Sequence, residues 1–144
     1  SGLSMWQTLA ASGSSVYLIW SHWNTDEKNN TEIYFAASSN RGGAWGPVVR
    51  LTDNPKVSGL PACVAIGSKA YAMWADDRSG NFEIYVRTSA NGGASWAGAN
   101  RLTKNAGAST QPDLALGESA LYAVWADATP GNYEIYFAVT KLPK

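Results

Sequence analysis

The chain has 144 residues, with 11 Lys and Arg against 11 Asp and Glu, one His, one Cys, seven Trp and seven Tyr, a size that fits one ordinary domain with its own core. Zero net charge and the lack of any basic block remove the footprint that nucleic acid or a polybasic membrane contact requires, and no apolar run approaches the ~18 residues of a membrane-spanning helix. A lone cysteine, Cys63, excludes an internal disulfide and a Cys-cluster zinc site and leaves the redox compartment open.

The chain opens Ser1-Gly2 rather than Met and shows no leader segment, which leaves room for a leader, a tag or more protein ahead of it. The elements then come in three copies. Glu32-Ile33-Tyr34-Phe35, Glu83-Ile84-Tyr85-Val86 and Glu134-Ile135-Tyr136-Phe137 recur at a spacing of 51 residues. Trp45 and Trp96 keep that spacing, as do Arg50-Leu51-Thr52 and Arg101-Leu102-Thr103, Asn54 and Asn105, and Pro61 and Pro112. Trp74 and Trp125 also keep it, whereas Trp20 to Trp74 is 54, so three extra residues sit between Trp20 and Glu32.

The second copy shows the unit plainly. Pro61 to Ile66 and Ala70 to Trp74 are apolar runs joined by Gly67-Ser68-Lys69, and Glu83 to Ser89 is rich in aromatic and β-branched residues. Asn91-Gly92-Gly93 then turns into a segment closing at Arg101-Leu102-Thr103. Four short strands between Gly, Asn, Asp and Pro, with no helical periodicity, predict an antiparallel meander, A to D from the inside outward. Strands B and C carry large apolar groups on both faces, so each sheet needs cover on both sides. The fold class predicted is therefore all-β: a β-propeller of four-stranded antiparallel blades, three to the chain. The blades run from about 5 to 52, 60 to 103 and 110 to 140, within a single domain spanning 1–144. The third stops before its outer strand. A β-sandwich is the alternative architecture.

The C-to-D turns read Ser38-Ser39-Asn40-Arg41-Gly42-Gly43-Ala44-Trp45 and Ser89-Ala90-Asn91-Gly92-Gly93-Ala94-Ser95-Trp96. They resemble the Asp-box, or BNR repeat, of sialidase-like β-propellers, whose pattern is Ser-x-Asp-x-Gly-x-Thr-Trp. The resemblance extends through the flanking strands and Trp-x-Asp loops over the whole chain. It assigns structural roles to Ser38, Asn40, Gly42, Trp45, Ser89, Asn91, Gly93, Ser95 and Trp96. Asn stands for Asp in both turns and can make the same side-chain-to-backbone bonds. Gly42 or Gly43, and Gly92 or Gly93, supply the positive φ of a tight turn, and Trp45 and Trp96 are expected to fold back as apolar anchors under the turns. The resemblance implies an extracellular or cell-surface protein, with the ligand on the face opposite these turns. Its members include sialidases, other glycosidases and binding proteins, so fold does not select the function.

Repetition separates structure from site, because a side chain present in every copy serves the blade. Glu32, Glu83 and Glu134 invite a reading as paired glycosidase carboxylates. The other reading is that each Glu, or the Asp before it (Asp76, Asp127), ties the B-to-C hairpin to backbone N–H groups. The first B-to-C loop, Ser21 to Asn30, breaks the repeat by carrying His22 in place of Asp and adding Trp23. The expected ligand face gathers His22, Trp23, Asp26, Asp76, Asp77, Arg78 and Asp127. An exposed Trp beside these polar groups suits stacking on a sugar ring, while a Trp packed over its own loop is the alternative. Sialidase chemistry, by the resemblance, needs an arginine trio, a Tyr-Glu pair and an acidic acid/base. Of Arg41, Arg50, Arg78, Arg87 and Arg101, only Arg78 falls on the ligand face. No catalytic residue, cofactor or metal site is assigned, and Cys63 reads as a buried inert thiol. The function expected is a non-enzymatic binding or scaffold propeller for a glycan or a protein loop; the alternative is a sialidase-like glycoside hydrolase with carboxylates supplied across a dimer. Three blades leave two apolar faces open, and a homodimer closing a six-bladed ring covers them.

Overall fold

Three antiparallel sheets make up the regular structure of the computed structural model, which describes residues 2–25 and 30–142. The first contains β1 (Gly2–Ser12), β2 (Ser15–Asn24), β3 (Asn30–Ser38) and β4 (Val49–Arg50), hydrogen-bonded in that order. The second repeats it with β5 (Ser58–Ile66), β6 (Lys69–Asp76), β7 (Glu83–Ser89) and β8 (Asn100–Arg101). The third holds β9 (Ser109–Leu116), β10 (Ala120–Asp127) and β11 (Glu134–Lys141). No helix occurs among the described residues. Strand order follows chain order; the first two strands of each sheet are joined by tight turns, as at Gly13 and Gly67, whose φ values of 62° and 57° favour glycine.

Strand alternation places the core on both faces of the middle sheet. On β6, Ala70, Ala72 and Trp74 point at the first sheet and pack with Tyr17, Ile19, Ile33, Phe35 and Leu51. Tyr71, Met73 and Ala75 point the other way, with Ile84 of β7, onto Leu114, Leu121, Ala123 and Trp125 of the third. A stacked Trp–Tyr pair recurs across each B–C ladder: Trp20–Tyr34, Trp74–Tyr85 and Trp125–Tyr136, at 6.0, 6.3 and 6.1 Å between centroids. Face-to-face stacking of three such sheets is the arrangement of a partial β-propeller; a sandwich buries one face of each sheet, whereas the middle sheet here buries two.

Two details depart from expectation. The outer strands shrink to two residues each, because beyond the Arg the segment stays on strand C through a Thr hydroxyl in place of a main-chain carbonyl, Thr52 accepting from the Ile33 N–H and Thr103 from the Ile84 N–H at 2.8 Å each. The tryptophans after the C-to-D turns do not anchor beneath their own turns. Trp96 packs edge-on against Phe35 of the first sheet at 5.0 Å, and Trp45, with no sheet on that side among the described residues, is 44% exposed. The turns themselves are closed by Ser and Asn. Ser38 Oγ accepts from the Gly42 N–H at 2.9 Å and Asn40 Oδ1 from the Ala44 N–H at 2.7 Å. Ser89 and Asn91 repeat this with Gly93 and Ser95 at 2.9 Å each. Positive φ falls on Gly42 and Gly93 (86° each), preceded by Arg41 at 57° and Gly92 at 69°; Gly43 has no such φ.

Candidate functional site

At the end of the sheets where the B-to-C loops lie, the repeated acids form links between blades. Glu32 Oε1 accepts the Asn54 N–H at 2.9 Å and Arg50 Nη2 at 3.1 Å. Asn54 Nδ2 reaches Ser58 Oγ at 3.0 Å, and Ser58 donates to Asp76 Oδ2 at 2.7 Å. The next junction has the same order: Glu83 takes the Asn105 N–H at 2.9 Å and Arg101 at 2.7 Å, Asn105 bonds Asp127, and Ser109 donates to Asp127 at 2.7 Å. All four acids are at most 1% exposed. Burial pushes the Asp127 carboxyl up, but bonds from Thr129, Ser109 and Asn105 outweigh it and hold the group at about 2. Asp76 is likewise lowered: burial opposes, and bonds from Arg78, Trp74 and Ser58 prevail. A carboxylate held ionised and saturated with donors is a poor general acid.

The residues predicted for the ligand face divide accordingly. Asp76, the buried last residue of β6, and the half-buried Asp77 and Arg78 of the loop after it come together. Asp77 Oδ1 accepts the Val57 N–H at 2.7 Å, so the B-to-C loop and the D-to-A linker share one end of the sheets. Arg78 pairs with Asp76 and lies 4.6 Å over the Tyr85 ring. Asp127 sits in the following junction rather than with them. His22 occupies the Asp76 position, opposite Glu32 in register, and Ser4 Oγ lies 3.0 Å from its Nδ1, as Ser58 bonds Asp76. Its ring meets Tyr34 edge-on at 5.5 Å. Trp23 is half-buried on β2, between Leu3 and Thr31 in register. Asp26 lies outside the described residues. Cys63 is half-buried rather than sealed, and burial pushes its thiol up to about 12, which keeps it protonated and unreactive.

A second feature was missed in the sequence. The inner strands β1, β5 and β9 lie side by side, and each breaks register at the same repeat position: between Met5 and Thr8, Gly59 and Ala62, and Thr110 and Asp113. At each bulge a non-glycine residue takes positive φ: Trp6 at 51°, Leu60 at 53° and Gln111 at 52°. That conformation costs a β-branched or bulky residue energy and persists only where the surroundings impose it. The bulges turn Trp6, Gln7, Leu60, Pro61, Gln111 and Pro112 into the lining of an open cavity of about 260 Å³. Trp6 is 51% exposed. Its ring lies over Gly59, where an added Cβ would stand 3.3 Å from the indole. The lining thus offers one aromatic face and two exposed neutral amides, Gln7 and Gln111, and no ionisable group. The recurring Pro61 and Pro112, with Gln7 at the equivalent place in the first copy, are the trace that the sequence carried.

No protein-family model and no curated protein matches the sequence. Solved structures do match in fold. A family 117 glycoside hydrolase, Zg3597, of Zobellia galactanivorans superposes with a TM-score of 0.65 at 14% identity over 98% of this chain and 55% of that one. The GH93 α-L-arabinofuranosidase of Fusarium graminearum gives 0.64 at 18%, covering 90% and 42%. The Trypanosoma rangeli sialidase gives 0.67 at 12%, covering 96% and 29%. The chain therefore has a sialidase-like β-propeller fold and spans about half, or less, of the length of these enzymes.

Proposed function

We propose that this chain is a carbohydrate-recognising part of a β-propeller, with its ligand at the inner-strand mouth. The observation that carries the reading is the lining there. The exposed Trp6 face suits the C–H face of a sugar ring, and the Gln7 and Gln111 amides suit its hydroxyls. His22, Trp23, Asp77 and Arg78 stand at the loop end of the same sheets as candidates for further contacts. Binding without turnover is favoured because Glu32, Glu83, Asp76 and Asp127 are committed to links between blades. Calorimetry with oligosaccharides chosen from a glycan array tests it: Trp6→Ala is expected to weaken binding at least tenfold with the fold intact by circular dichroism. Unchanged affinity would sink the assignment.

The solved structures support a second reading, a glycoside hydrolase whose acid and base come from residues beyond these sheets, across a dimer or from further blades. Turnover of chromogenic arabinofuranosides or sialosides by the chain would favour it over simple binding.

The two Ser-Asn-Gly turns are read as Asp-box turns of the BNR type, supported by their Ser and Asn hydrogen bonds. A homodimer is proposed to close a six-bladed ring. Phe35 against Trp96 is one of the contacts between the first two sheets, and the repeat equivalents of its two members, Phe137 and Trp45, stand 61% and 44% exposed at opposite ends of the stack. Light scattering giving only monomer mass at high concentration would exclude the dimer.

A further inference from the structure

The second Ser-Asn-Gly turn contains the one Asn-Gly pair of the sequence, Asn91-Gly92, where the first turn has Asn40-Arg41. Such a pair is chemically labile. The residue after the asparagine has no Cβ, so its main-chain nitrogen can reach the side-chain carbonyl carbon that a larger residue would shield. Asn91 is exposed, so water has access to it.

The folded turn holds the two reacting groups apart by occupying both. The Gly92 N–H donates to the Ser68 carbonyl at 2.7 Å, which ties the C-to-D turn to the A-to-B turn of the same sheet. The Asn91 carboxamide is held at both of its ends. Its Oδ1 accepts the Ser95 N–H at 2.9 Å and the Ser89 hydroxyl at 3.0 Å, and its Nδ2 donates to Ser95 Oγ at 2.9 Å. The first turn has the same frame: the Arg41 N–H donates to the Ser14 carbonyl at 2.8 Å, and Asn40 Oδ1 accepts the Ala44 N–H at 2.7 Å. The chain thus carries a matched pair of turns, alike in geometry and different in the residue whose nitrogen would attack.

We propose that Asn91-Gly92 is a self-modifying site, a deamidation site latched by the bond from Gly92 to Ser68, and that it reacts when the turn opens locally. The Gly92 nitrogen gives its proton to solvent and bonds Asn91 Cγ; the Cγ–Nδ2 bond breaks, and Nδ2 leaves as ammonia with a proton from solvent. Water then opens the five-membered imide. Attack at Cγ restores the main chain and leaves aspartate at position 91. Attack at the main-chain carbonyl carbon leaves isoaspartate, with the chain routed through the former side chain.

The two products differ in consequence. The aspartate carboxylate keeps the acceptor for the Ser95 N–H and the Ser89 hydroxyl, and it accepts the Ser95 hydroxyl where Nδ2 had donated. Isoaspartate lengthens the main chain by a methylene two residues before Gly93, where even an added Cβ would stand 2.2 Å from the Phe35 ring. It therefore loosens the first junction, at which Trp96 also meets Phe35.

The test incubates the full chain in mildly alkaline buffer, folded and in urea, and follows each asparagine by peptide mapping and mass spectrometry. In urea, Asn91 is expected to convert at least tenfold faster than Asn40. In the folded chain its conversion should be at least tenfold slower than in urea and should rise in step with amide exchange of the Gly92 N–H as the turn is loosened by low urea. Gly92→Arg, which copies the first turn, should stop conversion at position 91; this comparison is made in urea and needs no fold. The isolated isoaspartyl form should melt below wild type, whereas Asn91→Asp should melt with it. Four results overturn the proposal: equal rates at Asn91 and Asn40 in urea; equal rates at Asn91 folded and unfolded, or no link to Gly92 exchange; conversion that survives Gly92→Arg; or an isoaspartyl form as stable as wild type.

Discussion

At the junction of the first and second sheets, Tyr17, Ile19, Ile33 and Phe35 are all at most 2% exposed. On the outward face of the third sheet, the residues at the same repeat positions, Tyr122, Val124, Ile135 and Phe137, are 38%, 37%, 76% and 61% exposed. The local structure is the same in both places, down to the ring stacking, with Tyr17–Phe35 and Tyr122–Phe137 both at 6.1 Å. Strand pairing and cross-strand stacking therefore belong to each sheet alone, whereas burial, and the hydrophobic free energy that goes with it, is conferred by the neighbour.

Four substitutions or conditions sharpen that contrast. Trp74→Ala has the largest expected effect. It removes an indole with no exposure, its stacking on Tyr85 and its Nε1 donation to Asp76 at 3.0 Å, and urea unfolding should register a loss of about 3–5 kcal/mol. A loss below about 1 kcal/mol would mean that the first junction is not a sealed core.

Gly93→Ala comes next. Gly93 and Gly42 share φ of 86°, but an added Cβ at Gly93 overlaps the Phe35 ring while at Gly42 it meets nothing within 4 Å. Thermal melts should place Gly93→Ala about 2–4 kcal/mol below wild type and Gly42→Ala about 1–2 kcal/mol below. Equal penalties would show that the turn alone, not the neighbouring sheet, sets the cost.

The acid limb of stability tests the polar half of a junction. The Asp127 carboxyl is lowered from 3.8 to about 2. Its contribution is then complete above pH about 4 and drains away as pH falls toward 2, because the unfolded state takes up the proton first. Asp76, also lowered, adds to the same limb. In Asp127→Asn the loss of stability between about pH 4 and 2 should be shallower than in wild type; an unchanged slope would remove Asp127 from the account.

Phe137→Ala has the smallest expected effect on the single chain, within about 0.5 kcal/mol, since the ring is 61% exposed. In sedimentation, by contrast, it should shift the proposed homodimer toward monomer. A destabilisation of several kcal/mol at concentrations where only monomer is present would show that the third sheet is covered within one chain.

Much of the fold was legible because repetition acts on short-range chemistry. The recurring Glu-Ile-Tyr motif, the Ser and Asn of the turns and the glycines at φ of 86° specify hairpins from local bonds, and they formed where the spacing placed them. The glutamates were legible as structural for the same reason, since each copy repeats them, whereas Asp76 and Asp127, replaced by His22 in the first copy, were read as part of the ligand face. The direction taken by Trp45 and Trp96 was not, because an anchor under its own turn and an anchor on the next sheet leave the same sequence. Nor was the inner-strand mouth. Its signal is a single bulge residue that differs in all three copies, Trp6, Leu60 and Gln111, so the shared feature is a backbone angle rather than a side chain.

What the sequence determined by itself was the unit: a hairpin meander with two apolar faces, repeated at 51 residues, closed by Ser and Asn side chains that bond their own backbone. Its causes lie within a few residues of one another. The tertiary structure alone decided which acids are spent, which tryptophan is covered and where three bulges converge. Each of those depends on a partner 18 or more positions away, as Ser58 is from Asp76, and on which sheet lies next to which.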